Sequence, residues 1–416
     1  MTNFRFLHAA DIHLDSPLYG LSRYEGMPVD DIRSATRVAF DNLIQCAIDE
    51  AVDFVVIAGD LFDGDWRDMN TGLYFARAMG LLDKAGIPAF ILAGNHDAAS
   101  VISRTVPWPQ NVRQFGSKCA ETHYLPELSV AIHGQSFATQ AVTDNLVLGY
   151  PPAGEHLFNI GVLHTALAGR QGHADYAPCS LGDLKAKLYD YWALGHVHAF
   201  EVVSTDPYVV FPGNLQGRKI TETGAKGAVI VTVTDREVTA VNRVELDVIR
   251  WAHLEVDCSG IADSDICNLI QTQLGRLHGA NASGRPLVAR ITLMGEMSEA
   301  GALHDRAASL RDEVRAIAAA VSLDLHVEKV RVTVSEATQH DNIMSDDLGA
   351  LIDSGSADPA LAEALRLDLE RFMLAASSTL GEPEDGDLRL LATRGDMAAI
   401  LRTASSALRS RLTGEA

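Results

Sequence analysis

The sequence predicts an α/β fold with more than one sheet, and three observations carry that expectation. Up to about residue 100, apolar strands alternate with loops and helical patterns. From about 112 to 250 the apolar runs shorten into β segments. Beyond 251 the pattern becomes strand–helix–strand–helix–strand.

Residues 4–10 read as a first strand that ends at Asp11-Ile12-His13. Ile32, Ala35, Ala39, Leu43 and Ala47 recur at helical spacing within 31–50. The run Asp53-Phe54-Val55-Val56-Ile57-Ala58-Gly59-Asp60 is apolar and rich in β-branched residues, as in a buried parallel strand. Gly59 lets the backbone turn sharply at its end. Asp60 is thereby delivered to the C-terminal edge of a sheet, where open α/β sheets place their ligands. A helix is expected around 70–84, then a strand from Pro88 to Leu92 ending at Gly94-Asn95-His96-Asp97. Further on, Phe158 to Leu163 ends at His164, and Asp190 to Leu194 ends at Gly195-His196-Val197-His198. Tyr208 to Phe211 precedes Pro212-Gly213-Asn214. Ala228 to Val233 and Val238 to Leu246 form a hairpin around Asp235-Arg236-Glu237. Residues 1–250 therefore read as one domain.

A second, smaller domain is expected over 251–340. Its strands are Trp251 to Val256, Leu287 to Leu293 and Leu325 to Val334, with helices from Asp263 to Leu277 and Glu299 to Val321. The remainder, 341–416, reads as an acidic helical segment. Asp358-Pro359 is a helix start with an apolar stripe of Leu361, Leu365, Leu369 and Phe372 behind it. Asp396 caps a last helix with Ile400, Leu401, Ala404 and Leu408 on one side. These stripes pack on their own domain or on a partner protein.

The bulk numbers narrow the class. An apolar fraction of 47% over 416 residues supports real cores and excludes a disordered chain. Five scattered cysteines (Cys46, Cys119, Cys179, Cys258, Cys267) form no Cys-x-x-Cys pair, which argues against a disulfide framework or a thiolate zinc site. Residues 1–14 carry Asp11 and two histidines and no apolar core of a signal peptide. No apolar run approaches bilayer length, so a cytoplasmic protein without membrane contact is expected. The net charge of -21 is unfavourable for duplex binding, although residues 341–387 alone carry -10 of it.

The strand-end segments form an ordered set: Asp11-x-His13, Gly59-Asp60-x-x-Asp63, Gly94-Asn95-His96-Asp97, His164 and Gly195-His196-x-His198. All are carboxylate, imidazole or amide donors, a mixture that suits Mn²⁺, Fe²⁺ or Zn²⁺ better than Mg²⁺. Side chains two apart on an extended stretch share one side, so Asp11 and His13 can grip one ion. A carboxylate can bridge two ions about 3.5–4 Å apart. Each motif is weak alone; the ordered set is not.

On these residues the chain resembles the calcineurin-like metallophosphoesterases. More narrowly it resembles DNA-repair exonucleases of the SbcD type, in their YhaO-like branch, through Ala10-Asp11-Ile12-His13-Leu14-Asp15-Ser16-Pro17, Leu163-His164-Thr165 and Pro212-Gly213-Asn214-Leu215-Gln216-Gly217-Arg218 as well as the segments above. The resemblance covers about residues 3–235 and implies a four-layer α-β-β-α sandwich. Beyond 250 only the layout matches: a small α/β capping module, then helices that in the family bind an SMC-like ATPase. It implies two divalent metal ions, Mn²⁺ first with Mg²⁺, Fe²⁺ or Zn²⁺ as alternatives. Asp11, His13, Asp60 and His198 correspond to ligands of one ion, and Asp60, Asn95, His164 and His196 to ligands of the other, with Asp60 as the bridge. His96 corresponds to the catalytic histidine, a general acid for the leaving 3′ oxygen after attack by a metal-bound hydroxide. Asp97 is placed to orient or charge-support it, or is a plain strand-end acid. Several nuclease relatives carry a histidine where this chain has Asp63, which leaves open exonuclease against other phosphodiester activity.

Arg170, His173, Tyr176 and Arg218 lie in loops after ligand segments, either contacting phosphate or stacking on a base or simply solvated. Lys185 and Lys187 read as an exposed helix face. The expected partners are DNA and the ATPase subunit, with a homodimer as a further option. An esterase for small phosphate substrates and a scaffold without chemistry are the competing readings.

Overall fold

The computed structural model describes residues 3–16, 29–63, 69–99, 108–167, 176–298, 300–336, 351–352, 354–355, 358–376, 392, 395–398, 400–401 and 404–405. The chain divides into two compact units, residues 1–252 with 278–289, and residues 253–277 with 290–416.

The first unit opens with β1 (Asn3–Ala9), α1 (Val29–Asp49), β2 (Phe54–Ala58), α2 (Met69–Lys84), β3 (Ala89–Leu92) and the short α3 (Asn95–Ala99). There follow β4 (Val112–Gln114), β5 (Glu121–Leu125), β6 (Val130–Gly134), β7 (Phe158–His164), β8 (Tyr191–Gly195), β9 (Glu201–Thr205), β10 (Tyr208–Phe211), β11 (Gly227–Thr234) and β12 (Glu237–Glu245). They make two six-stranded sheets, ordered β12-β11-β1-β2-β3-β4 and β5-β6-β7-β8-β10-β9. Strands β1 to β4 run parallel, as do β6, β7, β8 and β10. Ala9 pairs with Ile57, Ala58 with Leu92 and His164 with Gly195, so the loops that follow these strands leave from matching levels.

Alternation fixes the layers. Phe4, Phe6, Phe54, Val56 and Phe90 face Phe158, Ile160, Val162 and Tyr191 in the core between the sheets. Phe6 stacks on Phe54 at 5.0 Å and meets Tyr191 edge-on at 5.2 Å. The opposite side chains of β1 to β3 pack under α1 and α2 through Phe40, Leu43, Phe75 and Leu82. The outer face of the second sheet is covered by the helix Leu181–Ala186 and a 3₁₀ turn at Leu146–Gly149, by way of Trp192, Leu184 and Val147. The expected four-layer sandwich is present, with a thin fourth layer. Lys187 differs from its expected exposure: its ammonium donates to Tyr150 O at 2.6 Å and Leu148 O at 3.1 Å.

A smaller sheet, β13-β14-β16, comprises β13 (Arg250–Asp257), β14 (Leu287–Met294) and β16 (Leu325–Val332). The helix Asp263–Asn281 buries Ile266, Ile270 and Leu274. The single helix expected from Glu299 to Val321 is two, Ala300–Asp305 and Ala307–Val321. Arg306 lies between them with ψ of 13°, its guanidinium held by Asp263 at 2.8 Å and Glu313 at 3.2 Å. The two-residue strands β15 (Glu296–Met297) and β17 (Ser335–Glu336) pair in parallel and are too short for periodicity to show. The helix Pro359–Ala376 begins as expected, with the Asp358 carboxylate accepting from Ala360 N at 2.8 Å. Its stripe stays largely outside: Leu361 and Phe372 are exposed, Leu365 and Leu369 half-buried. Leu408 lies outside the described residues.

The intersheet layer is expected to carry much of the first unit's stability. Phe6→Ala should cost about 3–5 kcal/mol in urea unfolding, whereas Leu148→Ala, 70% exposed, should stay within about 0.5 kcal/mol. Equal losses from the two would be inconsistent with that core.

Candidate metal centre

The loops after β1, β2, β3, β7 and β8 converge. Asp11 N donates to Gly59 O at 3.0 Å and His13 N to Asp60 O at 3.0 Å, which ties the first two loops together. His196 N donates to the Asp11 carboxylate at 2.9 Å, and His96 N to Asp60 Oδ1 at 3.0 Å. These contacts need unusual backbone. Asp11, His13 and Asp60 have φ of 50°, 45° and 53°, and His196 has 96°. Left-handed conformations at non-glycine residues cost about 1–3 kcal/mol each and collect at functional sites. Glycine serves where room is absent: a Cβ on Gly59 would overlap the His164 ring, and one on Gly94 the Asp60 carboxylate.

Donor atoms of Asp11, His13 and His198 lie within 4.8 Å of one another, as do those of Asp11, Asp60 and His164, and those of His13, Asp60 and His96. His164 Nε2 is 3.4 Å from Asp60 Oδ2 and 3.0 Å from Asn95 Oδ1. His13 Nε2 is 3.9 Å from Asp60 Oδ2, and His198 Nε2 is 3.8 Å from Asp11 Oδ1. His196 packs edge-on against His164, with ring centres 5.2 Å apart. The seven residues expected as metal ligands are therefore all brought to one place.

Their electrostatics call for positive charge. Asp11 and Asp60 are almost fully buried, and buried carboxylates need close compensation. Burial raises the Asp11 carboxyl, against the pull of His198 and His164. Burial also works to raise Asp60, but the charge and hydrogen bond of His164 outweigh it and hold Asp60 far below the usual carboxylate range. His164 responds in kind: burial lowers it, Asp60 more than reverses this, and its pKa rises to about 9. A proton on Nε2 and a divalent cation are alternative ways of meeting these oxygens.

The donor set fits such a cation. Both ring nitrogens of His13 are buried without a hydrogen-bond partner among the described residues. His164 Nδ1–H donates to Ala58 O at 2.9 Å, and His198 Nδ1–H to Glu222 Oε1 at 2.8 Å. Each bond fixes the tautomer that turns Nε2 inward, as is usual for metal-binding imidazoles. Against the cost of burial, the His198 hydrogen bond and charge hold Glu222 down at about 2.

His96 sits beside this group, half-buried, with its ring 4.9 Å from that of His13. Its Nδ1–H donates to Asp63 Oδ1 at 2.7 Å, and this bond raises its pKa. The expectation that Asp97 orients His96 is not met. Both Asp97 oxygens are taken by backbone amides, those of Phe62 at 2.8 Å, Gly94 at 3.0 Å and Leu61 at 3.1 Å. Asp97 braces the loops, and burial, followed by the Asp60 charge, lifts its pKa to about 7. Asp63 takes the orienting place, its other oxygen accepting from Ser16 Oγ at 2.6 Å and facing Arg218 at 3.5 Å.

Arg218 was expected in a loop, either contacting phosphate or a base or solvated. It is buried instead, donating to Ser16 Oγ at 3.0 Å. Tyr176 lies against His196, ring centres 5.3 Å apart. Arg170 and His173 fall outside the described residues. Glu222 and Ser16 are contributors that sequence reasoning gave no role. The Gly59-Asp60-x-x-Asp63 spacing carried a signal for Asp63, whereas the loop holding Glu222 carried none.

The chain also resembles known proteins. Residues 4–200 match the family model for calcineurin-like phosphoesterases, and residues 251–335 match that for the middle domain of metallophosphoesterase YhaO. The chain is 34% identical over 304 residues to an uncharacterized metallophosphoesterase YhaO of Bacillus subtilis, covering 72% of this chain and 74% of that one. It is 27% identical over 266 residues to the DNA double-strand break repair protein Mre11 of Sulfurisphaera tokodaii, covering 60% and 64%. A dimetal phosphatase from Danio rerio aligns in structure at 14% identity and a TM-score of 0.36, over 59% of this chain and 98% of that one. With buried carboxylates and imidazoles gathered at the ends of the same strands that match the family, the chain belongs to the calcineurin-like metallophosphoesterases, in their YhaO-like branch.

Proposed function

We propose that the chain is a two-metal phosphodiesterase acting on DNA, the nuclease subunit of a complex with an SMC-like ATPase. The observation that carries the chemistry is Asp60, buried with one oxygen on His96 N and the other facing His13 and His164. Asp11, His13, Asp60 and His198 would hold one divalent ion, and Asp60, Asn95, His164 and His196 the other, with Mn²⁺ the best match to the donors. Bound, such a pair lowers the pKa of water and neutralises phosphate charge.

The chain's own residues do the rest. His96 protonates the leaving 3′ oxygen, and Asp63 sets its tautomer and orientation. Asp97 keeps the loops carrying Asp60 and His96 in register. Tyr176 offers a ring beside His196 for stacking a base. Arg218 adds a positive charge next to Asp63. The likeness to Mre11 supports DNA as the substrate. The exposed Leu361, Leu367 and Phe372 support a protein partner for the helix Pro359–Ala376.

The net charge of -21 favours a second reading, hydrolysis of small phosphodiesters or phosphomonoesters. One assay separates them. Labelled single- and double-stranded DNA with Mn²⁺ should be cut, more so with the co-expressed ATPase, and chelation should abolish cutting. Truncation near residue 345 should spare short single strands and lose the ATPase. Cleavage of nitrophenyl phosphodiesters with DNA left intact would select the second reading.

The residue roles have separate signatures. His96→Ala should keep metal content and lose about 10²–10⁴ in rate. Asp60→Asn should weaken both ions, and His13→Ala mainly one, by elemental analysis and Mn²⁺ titration. Loss of metal in His96→Ala would make it a ligand and sink the scheme.

Asp63 predicts a pH effect. Its hydrogen bond raises the His96 pKa, and a general acid fails as pH rises through its pKa. Asp63→Asn should therefore move the alkaline limb of the rate profile to lower pH. An unmoved limb would remove Asp63 from the mechanism.

A further inference from the structure

We propose that Glu222 is a positioning residue for His198, and that the segment 212–226 acts on the centre through it. The inference rests on the two-ion reading above. Glu222 is 5% exposed, and both its oxygens are engaged. Oε1 accepts from His198 Nδ1 at 2.8 Å, while Oε2 accepts from Asn214 Nδ2 at 2.9 Å and Arg218 N at 2.7 Å. With Nδ1–H committed to the carboxylate, the lone pair of His198 is on Nε2, the nitrogen 3.8 Å from Asp11 Oδ1. A carboxylate behind an imidazole fixes its tautomer and ring orientation and makes it a stronger donor to a cation.

The same segment also holds the backbone of His198. Lys226, itself buried, donates from Nζ to His198 O at 2.8 Å. Four residues before Glu222, Arg218 reaches the other side of the centre, through Ser16 at 3.0 Å and Asp63 at 3.5 Å. The Arg218 amide and the His198 ring share one carboxylate. The segment therefore links a ligand of one ion to the residues that orient His96.

Mn²⁺ titration of the full chain, followed by calorimetry and electron paramagnetic resonance, tests this. Glu222→Ala should weaken one of the two sites by about 10–100-fold and leave the other intact, which also reports that the chain is folded. Glu222→Gln, whose amide oxygen still accepts from Nδ1, should be weakened less. In a His198→Ala background, Glu222→Ala should add little, because the two act as a unit. Unchanged binding by Glu222→Ala, equal loss at both sites, or additive losses in the double variant would overturn the proposal. Fewer than two Mn²⁺ bound by the unsubstituted chain would overturn the two-ion reading, and the role of Glu222 with it.

Discussion

Negative charge buried at the ends of parallel strands is the constraint on which the rest of the first unit depends. Asp11 and Asp60 sit where water is excluded. Two carboxylates there are tolerable only with cations, protonated imidazoles or convergent N–H groups around them. The surroundings supply the last two, from His164, His196 N and His96 N. Everything unusual nearby follows from crowding those groups together: left-handed backbone at the acids, glycine where rings approach, and strand ends held level by register.

Around that nucleus lie carboxylates with different tasks, set by their neighbours and not by residue type. Asp97 accepts backbone amides and stiffens loops. Asp63 and Glu222 each accept from an imidazole Nδ1–H. Their directions of pKa shift differ accordingly. Burial and a neighbouring charge raise Asp97, while the hydrogen bond from His96 lowers Asp63. The amides that Asp97 accepts pull it down without outweighing burial and the Asp60 charge, whereas the imidazole hydrogen bond to Asp63 outweighs its burial.

The sequence made the sandwich and the residues gathered at its strand ends legible because both are local signals. A strand such as Phe54–Ala58 is a short apolar run, and Asp60 follows within two residues. Asp97 was misread for the same reason: adjacency to His96 suggested contact, but the short turn at α3 points the two side chains to different neighbours. Glu222 was invisible, since its partner lies 24 residues away and nothing between them is periodic. The contact of Arg218 with Ser16, 202 residues earlier, likewise left no local trace. The break at Arg306 is likewise tertiary, since Ala and Leu on both sides favour an unbroken helix.

The convergence of five loops also bears on how the first unit is held together. Asp60 and Asn95 follow strands of one sheet, while His164, His196 and His198 end or follow strands of the other. Apart from the apolar layer, an ion bound by both groups is a cross-link between the sheets, closed only when both have formed. Its binding free energy is then part of the folding free energy and grows with the logarithm of free metal concentration. With an ion so held, the supply of divalent metal would act as a fastener on the architecture as well as a reagent for its chemistry.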